Sequence, residues 1–139
     1  MKRLDFEAHF YTQEYVDTLY QHKGYPRFGL DEETKGRRLW YNREVGQPFA
    51  DFLLNPLLDL GERRLARMDK CGIDVQVLSL SAPGVEQLDP AVGTVVARNA
   101  NDILYELTRK YPDRFMGYAA LGPKYPQQAA DELERCGKE

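Results

Sequence analysis

The chain has 139 residues, 42% hydrophobic, 29% charged and 12% aromatic, a balance too apolar for a disordered chain and right for one folding unit with a single core. Its 22 acidic and 19 basic side chains give a formal charge of -3, which argues against nucleic acid or an anionic membrane as partner, and no apolar run reaches transmembrane length. Two cysteines, Cys71 and Cys136, make no disulfide scaffold; with no signal peptide in view they read as reduced thiols of a cytoplasmic protein.

In chain order, Lys2 to Phe10 alternates apolar Leu4, Phe6, Ala8 and Phe10 with Asp5, Glu7 and His9, the pattern of a strand. A short amphipathic helix with Tyr15, Val16 and Leu19 on one face follows to Gln21, capped by Thr12. Residues 22–56 then lose all regularity, with Gly24, Pro26, Gly29, Gly36, Gly46, Pro48 and Pro56 among scattered aromatics, and read as an irregular insertion. Helical spacing returns from Leu57 to Cys71 and stops at Gly72. Val75 to Leu80 is a second strand closed by Pro83 and Gly84, and Val92 to Tyr111 is a helix ended by Pro112. A third strand is expected over Arg114–Leu121, and a last helix from Pro126 to the terminus.

Strands alternating with helices imply an α/β fold with a parallel sheet built from right-handed crossovers. Such sheets are covered on both faces or closed into a barrel, and three strands with helices on one side leave the other bare. Residues 1–139 are therefore expected to form a single incomplete domain, the N-terminal portion of a TIM-type (β/α)8 barrel, with about three strands and the insertion after the first. The alternative is an open three-stranded layer that hides its bare face in an oligomer, and the isolated chain is expected to associate.

The first strand carries the chemistry. Period two puts Asp5, Glu7 and His9 on one face, and Glu7 and His9 lie at the C-terminal end, where barrel active sites are built. A carboxylate and an imidazole so spaced can converge on zinc or manganese, although an edge strand with a wet polar face has the same pattern. No third ligand is evident: Cys71 falls at the opposite end of the sheet, Cys136 on the outer side of the last helix, and His22 in the insertion as a solvated loop histidine. Arg37, Arg38, Trp40, Tyr41 and Arg43 suit either a solvated loop or a lid over an acidic aromatic substrate. Asp113 and Arg114 take structural roles at the start of the third strand, and Arg98, Asn99, Asn101 and Asp102 serve helix packing or surface polarity.

Four stretches, FEAHF at 6–10, LLDLGERRLARMDKCGIDVQVLSLSAPGV at 57–85, ARNANDIL at 97–104 and YPDRFMGYAAL at 111–121, together resemble the N-terminal part of the amidohydrolase-related metal-dependent enzymes. That family includes aminocarboxymuconate semialdehyde decarboxylase and the non-oxidative decarboxylases of hydroxybenzoates. The resemblance implies that Glu7 and His9 are metal ligands, sharing a zinc or manganese ion with a histidine and an aspartate from later strands beyond Glu139, the aspartate also handling the proton. It implies a substrate-facing hydroxyl at Ser81, for which a turn serine bonding its own loop is the equal alternative. No catalytic residue is identified within the chain itself. The implied activity is decarboxylation of a small, hydroxylated aromatic or related carboxylic acid by a homodimer, with the 139-residue chain alone inactive. Hydrolysis of a lactone or amide, or a catalytically inactive binding or assembly module, are the other readings.

Overall fold

A computed structural model describes residues 1–138. Three parallel strands, β1 (Leu4–Phe10), β5 (Val75–Leu80) and β6 (Phe115–Gly117), form a sheet in the order β1-β5-β6. Helices α3 (Glu62–Cys71) and α4 (Pro90–Lys110) cover one face, burying Met68, Ala100, Leu104 and Leu107 against Ala8, Phe10, Leu78 and Phe115. The other face leaves Leu4, Met116 and Tyr118 exposed. Thr12 caps helix α1 (Gln13–Gln21) through its hydroxyl and the Tyr15 N–H, as expected. Helix α5 (Pro126–Lys138) closes the chain; Glu139, also read as helical, lies outside the described residues. No helix among the described residues is long and apolar enough to cross a membrane.

The segment expected to be irregular is folded. Strands β2 (Arg27–Leu30), β3 (Arg37–Trp40) and β4 (Gly46–Pro48) make an antiparallel sheet, and helix α2 (Asp51–Leu58) starts within the same stretch. Strands of three or four residues are too short to display a period, and side chains that make the turns hold them instead. Asp31 accepts hydrogen bonds from the Thr34 and Glu33 amides, at 2.8 and 3.1 Å, and Asn42 does the same for Glu44 and Val45, both at 2.8 Å. Phe28, Leu39 and Phe49 bury against Tyr11, Tyr15 and Leu19, so this sheet shares a core with α1.

A β-bulge corrects the simple period-two reading of β1. Asp5 pairs with Gln76 and Ala8 with Leu78, so Phe6 and Glu7 together oppose one residue of β5. Ahead of the bulge Asp5 lies on the helix-covered face, where it accepts from Gln76 Nε2 at 3.0 Å, and its other oxygen accepts from the Glu7 amide at 3.2 Å. Asp5 therefore does not share a face with Glu7 and His9, and Phe6 is 59% exposed rather than buried.

The helix expected over Leu57–Cys71 is two helices, because residues 59–61 turn. Asp59 accepts from the Gly61 amide at 3.2 Å, and the leucines that seemed to form one stripe serve two cores: Leu57 and Leu58 the insertion's, Leu65 and Met68 the parallel sheet's. Buried Arg64 joins them. Its guanidinium donates to the Asp59, Pro56 and His9 carbonyls at 2.7, 2.8 and 2.8 Å, and to Gln76 Oε1 at 3.2 Å. Burial lowers its pKa to about 10, which leaves it a cation at neutral pH.

The third strand is shorter than expected, since ladder pairing ends at Gly117 and a side chain takes over. Asn101, buried in α4, donates to the Ala120 carbonyl at 2.8 Å and accepts from its amide at 2.7 Å. Asn101 Nδ2 also donates to Glu132 of α5 at 2.9 Å, and Arg135 bonds both Glu132, at 2.6 Å, and Asp102, at 2.7 Å. Asn101 thus fixes the chain leaving β6, a role well beyond generic helix packing. Arg114 keeps the structural role expected of it, donating to the Asp74 carbonyl at 2.9 Å and pairing with Asp69 at 2.6 Å.

Two outcomes follow. Arg64→Met is expected to lower the unfolding free energy by about 3 kcal/mol in urea titration, with Arg64→Lys intermediate, because several buried carbonyls lose a charged donor at roughly 1.5–3 kcal/mol each without full additivity; a loss under about 1 kcal/mol would mean that water replaces the guanidinium. Hydrogen bonds from Arg135, supported by Asn101, hold the Glu132 carboxyl near 2, below its ordinary 4.5. A depressed folded-state pKa stabilises above the unfolded value, so the advantage of the native protein over Glu132→Gln is expected to be on the order of 1 kcal/mol at neutral pH and to vanish as pH falls from 4.5 towards 2. Parallel acid-unfolding curves would show whether it does.

Candidate active site

From the second bulge residue, Glu7, onward β1 alternates regularly, with Ala8 and Phe10 buried and Glu7 and His9 exposed on the opposite face. The resumed register sets His9 beside Ser79 of β5, and His9 Nδ1 lies 3.0 Å from Ser79 Oγ. In the tautomer with its hydrogen on Nδ1 the ring would donate to that hydroxyl and keep the lone pair on Nε2, at the far side of the ring; in the other tautomer the hydroxyl would donate to Nδ1. The His9 carbonyl is held separately by Arg64, so backbone and imidazole each have a fixed partner.

One carboxylate oxygen and one imidazole nitrogen on a strand face are donors that suit zinc or manganese. Among the described residues no group of three or more histidine, cysteine or acidic side chains is arranged to hold a metal. Cys71 ends α3, ahead of the N-terminal end of β5, and Cys136 lies on α5. His22 Nδ1 sits 2.7 Å from the Pro26 carbonyl, which makes it a half-buried loop anchor rather than a solvated histidine.

Ser81 follows β5, where its amide donates to the Phe10 carbonyl at 3.2 Å and its carbonyl accepts from the Gly84 amide at 3.2 Å. Two tyrosines from the other side of the core brace this loop: Tyr11 donates to the Ala82 carbonyl at 2.6 Å and Tyr15 to the Gly84 carbonyl at 3.0 Å. Burial pushes both phenols well above the ordinary tyrosine pKa, so they remain protonated donors. Gly84 has φ +70°, a backbone conformation that favours glycine, whereas the Glu86 carboxylate that a Cβ would meet is the flexible end of a side chain and can move aside.

A cleft of about 350 Å³ opens at the C-terminal ends of β5 and β6, lined by Ser79, Gly84, Glu86, Tyr118 and Ala120 among others. Ser79, two residues before the serine singled out from the sequence, borders both this cleft and His9. Its signal was present in VQVLSL, where Val75, Val77 and Ser79 share a face, but only the bulge brings it level with His9. Arg64 carried no readable signal beyond its helix. Two of the basic residues of the insertion are engaged internally: Arg37 pairs with Asp51 at 2.7 Å, and Arg38 pairs with Asp31 at 2.8 Å and lies over the Trp40 ring.

No family model matches the chain. It is 48% identical over 88 residues to the γ-resorcylate decarboxylase of Polaromonas sp. (strain JS666 / ATCC BAA-500), a match covering 63% of this chain and 27% of that protein. Its fold superposes on the dihydroxybenzoic acid decarboxylase of Polaromonas sp. JS666, solved with manganese and the inhibitor 2-nitroresorcinol, with a TM-score of 0.70 and 36% identity over 99% of this chain and 35% of that one. It superposes equally on the 5-carboxyvanillate decarboxylase of Novosphingobium aromaticivorans, solved with manganese and 3-methoxy-4-hydroxy-5-nitrobenzoic acid, with a TM-score of 0.76 and 32% identity over 99% of this chain and 39% of that one. The matched stretch spans about a quarter of the curated relatives' length, and the fold a little over a third of the solved chains. The parallel sheet and its helices are accordingly the N-terminal portion of a TIM-type barrel. Sequence and fold together relate this chain to the hydroxybenzoate decarboxylases of the amidohydrolase-related family, over the part of their length that it spans.

Proposed function

We propose that this protein is a metal-dependent, non-oxidative decarboxylase of a hydroxylated aromatic carboxylic acid, in which Glu7 and His9 hold a manganese or zinc ion. The observation that carries the proposal is the placement of Glu7 and His9 on the open face at the end of β1, with the His9 ring tied through Nδ1. The names of the relatives support the substrate class, and the manganese in two of the superposed structures supports the metal.

In this reading Glu7 would offer an anionic oxygen and His9 its Nε2, while the remaining ligands and the proton-handling group would belong to the part of the relatives' length that this chain does not span. A bound divalent ion supplies Lewis acidity and orientation to a carboxylate and its neighbouring hydroxyl. Glu86 and Tyr118 border the cleft in which the ring of the acid would lie, and Gly84, at the end of the braced 81–84 loop, lines one side of it. Braced loops favour this role, because a substrate held within a few tenths of an ångström of its reactive geometry needs walls that do not move.

The proposal includes a homodimer, supported by exposed Leu30, Phe52 and Leu53 on the insertion. It also includes a reducing, cytoplasmic compartment, supported by the exposed Cys71 thiol. In the intact protein, Glu7→Gln and His9→Ala are each expected to weaken metal binding at least tenfold, measured by competition with a chelating dye, and to abolish carbon dioxide release from 2,6-dihydroxybenzoate. Full metal content and activity in both variants would sink the proposal. Metal loss in both, with turnover of a lactone or amide instead of an aromatic acid in the native protein, would keep the site and replace decarboxylation by hydrolysis.

A further inference from the structure

We infer that Ser79 is a positioning residue for His9: its hydroxyl accepts the hydrogen on Nδ1 and so presents the Nε2 lone pair to the metal. The inference rests on the proposed metal site and adds a residue that neither the sequence motif nor the relatives' names point to.

The argument begins with register. If the pairing of Asp5 with Gln76 continued without interruption, Ala8 would face Ser79 and His9 would face Leu80. The bulge at Phe6 and Glu7 removes one step, so His9 meets Ser79 and Phe10 meets Leu80. The same shift puts histidine and serine on one face of the sheet and sends Ala8, Phe10, Leu78 and Leu80 together to the helix side. One local irregularity therefore creates both the side-chain pair and the core beneath it.

Chemistry gives the pair its sense. Neutral imidazole exists as two tautomers, and only the one with hydrogen on Nδ1 has a lone pair on Nε2 for a metal. Ser79 Oγ, 3.0 Å from Nδ1, accepts that hydrogen and fixes the rotation of the ring. Its own position is well determined, since it stands on a strand beside fully buried Leu78 rather than on a loop. Along the same face of β5 come Val75 and Val77, so a third valine would continue the apolar pattern; a hydroxyl is the departure. Ser81, by contrast, is held through its backbone, and the loop that carries it is braced by tyrosines rather than by the metal-side residues.

The test compares Ser79→Ala and Ser79→Thr with the native protein and with His9→Ala, all as intact chains. With manganese and zinc titrated against a chelating dye, Ser79→Ala is expected to weaken affinity about tenfold and Ser79→Thr to restore it, the range typical of lost partners behind a metal-bound histidine. In the metal-free protein, nitrogen-15 NMR of the imidazole is expected to show His9 moving from the Nδ1–H tautomer towards Nε2–H in Ser79→Ala, a change that a merely structural serine would not produce. Unchanged affinity and tautomer in Ser79→Ala, with metal lost in His9→Ala, would overturn the inference and leave the proposed function standing. Metal binding unchanged in His9→Ala as well would overturn both.

Discussion

The buried guanidinium of Arg64 is the constraint on which this structure turns. Successive carbonyls of a strand point to opposite edges, so while Phe10 bonds across to Ser81 on the β5 side, His9 turns its carbonyl to the free edge. Left alone there, it would be a half-buried acceptor without a protein donor. Arg64 supplies the donor, and the same cation takes the carbonyls of Pro56 and Asp59 where α2 ends and the chain turns. The end of β1, the turn between two helices and the side of β5 are thereby fixed to one charge, which sets the backbone geometry around His9.

Two cores flank that point and do different work. The lower one, from Ala8 and Phe10 to Leu104 and Phe115, holds the sheet to its helices. The upper one joins α1, the antiparallel sheet and the start of α4 through an aromatic cluster, with Tyr15 edge-on to Tyr11 at 4.9 Å and Phe49 stacked on Tyr11 at 6.0 Å. Tyr11 and Tyr15 belong to that cluster by their rings and to the β5–α4 loop by their hydroxyls. Packing of the insertion and placement of the cleft wall are thus one event, because an aromatic ring buried at one end carries its polar tip to a defined place at the other.

Most of the parallel framework was legible in the sequence. Alternation in KRLDFEAHF, the β-branched run before SAPG, the Thr12 cap, and the stops at Gly72 and Pro112 all rest on local chemistry that the fold preserves. The shared exposed face of Glu7 and His9 was legible because strand periodicity is local as well. Regions governed by partners distant in sequence were misread: a continuous leucine stripe proved to serve two cores, an apparently irregular insertion proved to be a sheet held by turn side chains, and a polar helix position, Asn101, proved to hold the chain leaving β6 at Ala120, nineteen residues away.

The sequence by itself determined the order of strands and helices, the polar pair at the end of the first strand, and the family resemblance that gave the pair a meaning. Tertiary structure decided which residues meet. A bulge is one extra residue against a neighbouring strand, so it exists only once β1 and β5 are paired, and it moved Asp5 to the helix side and His9 to Ser79. Likewise a cation such as Arg64 has no assignable partners until elements far apart in the chain are brought to it. Local preferences are written along the chain; register and the pairing of buried polar groups arise between segments, and no single segment encodes them.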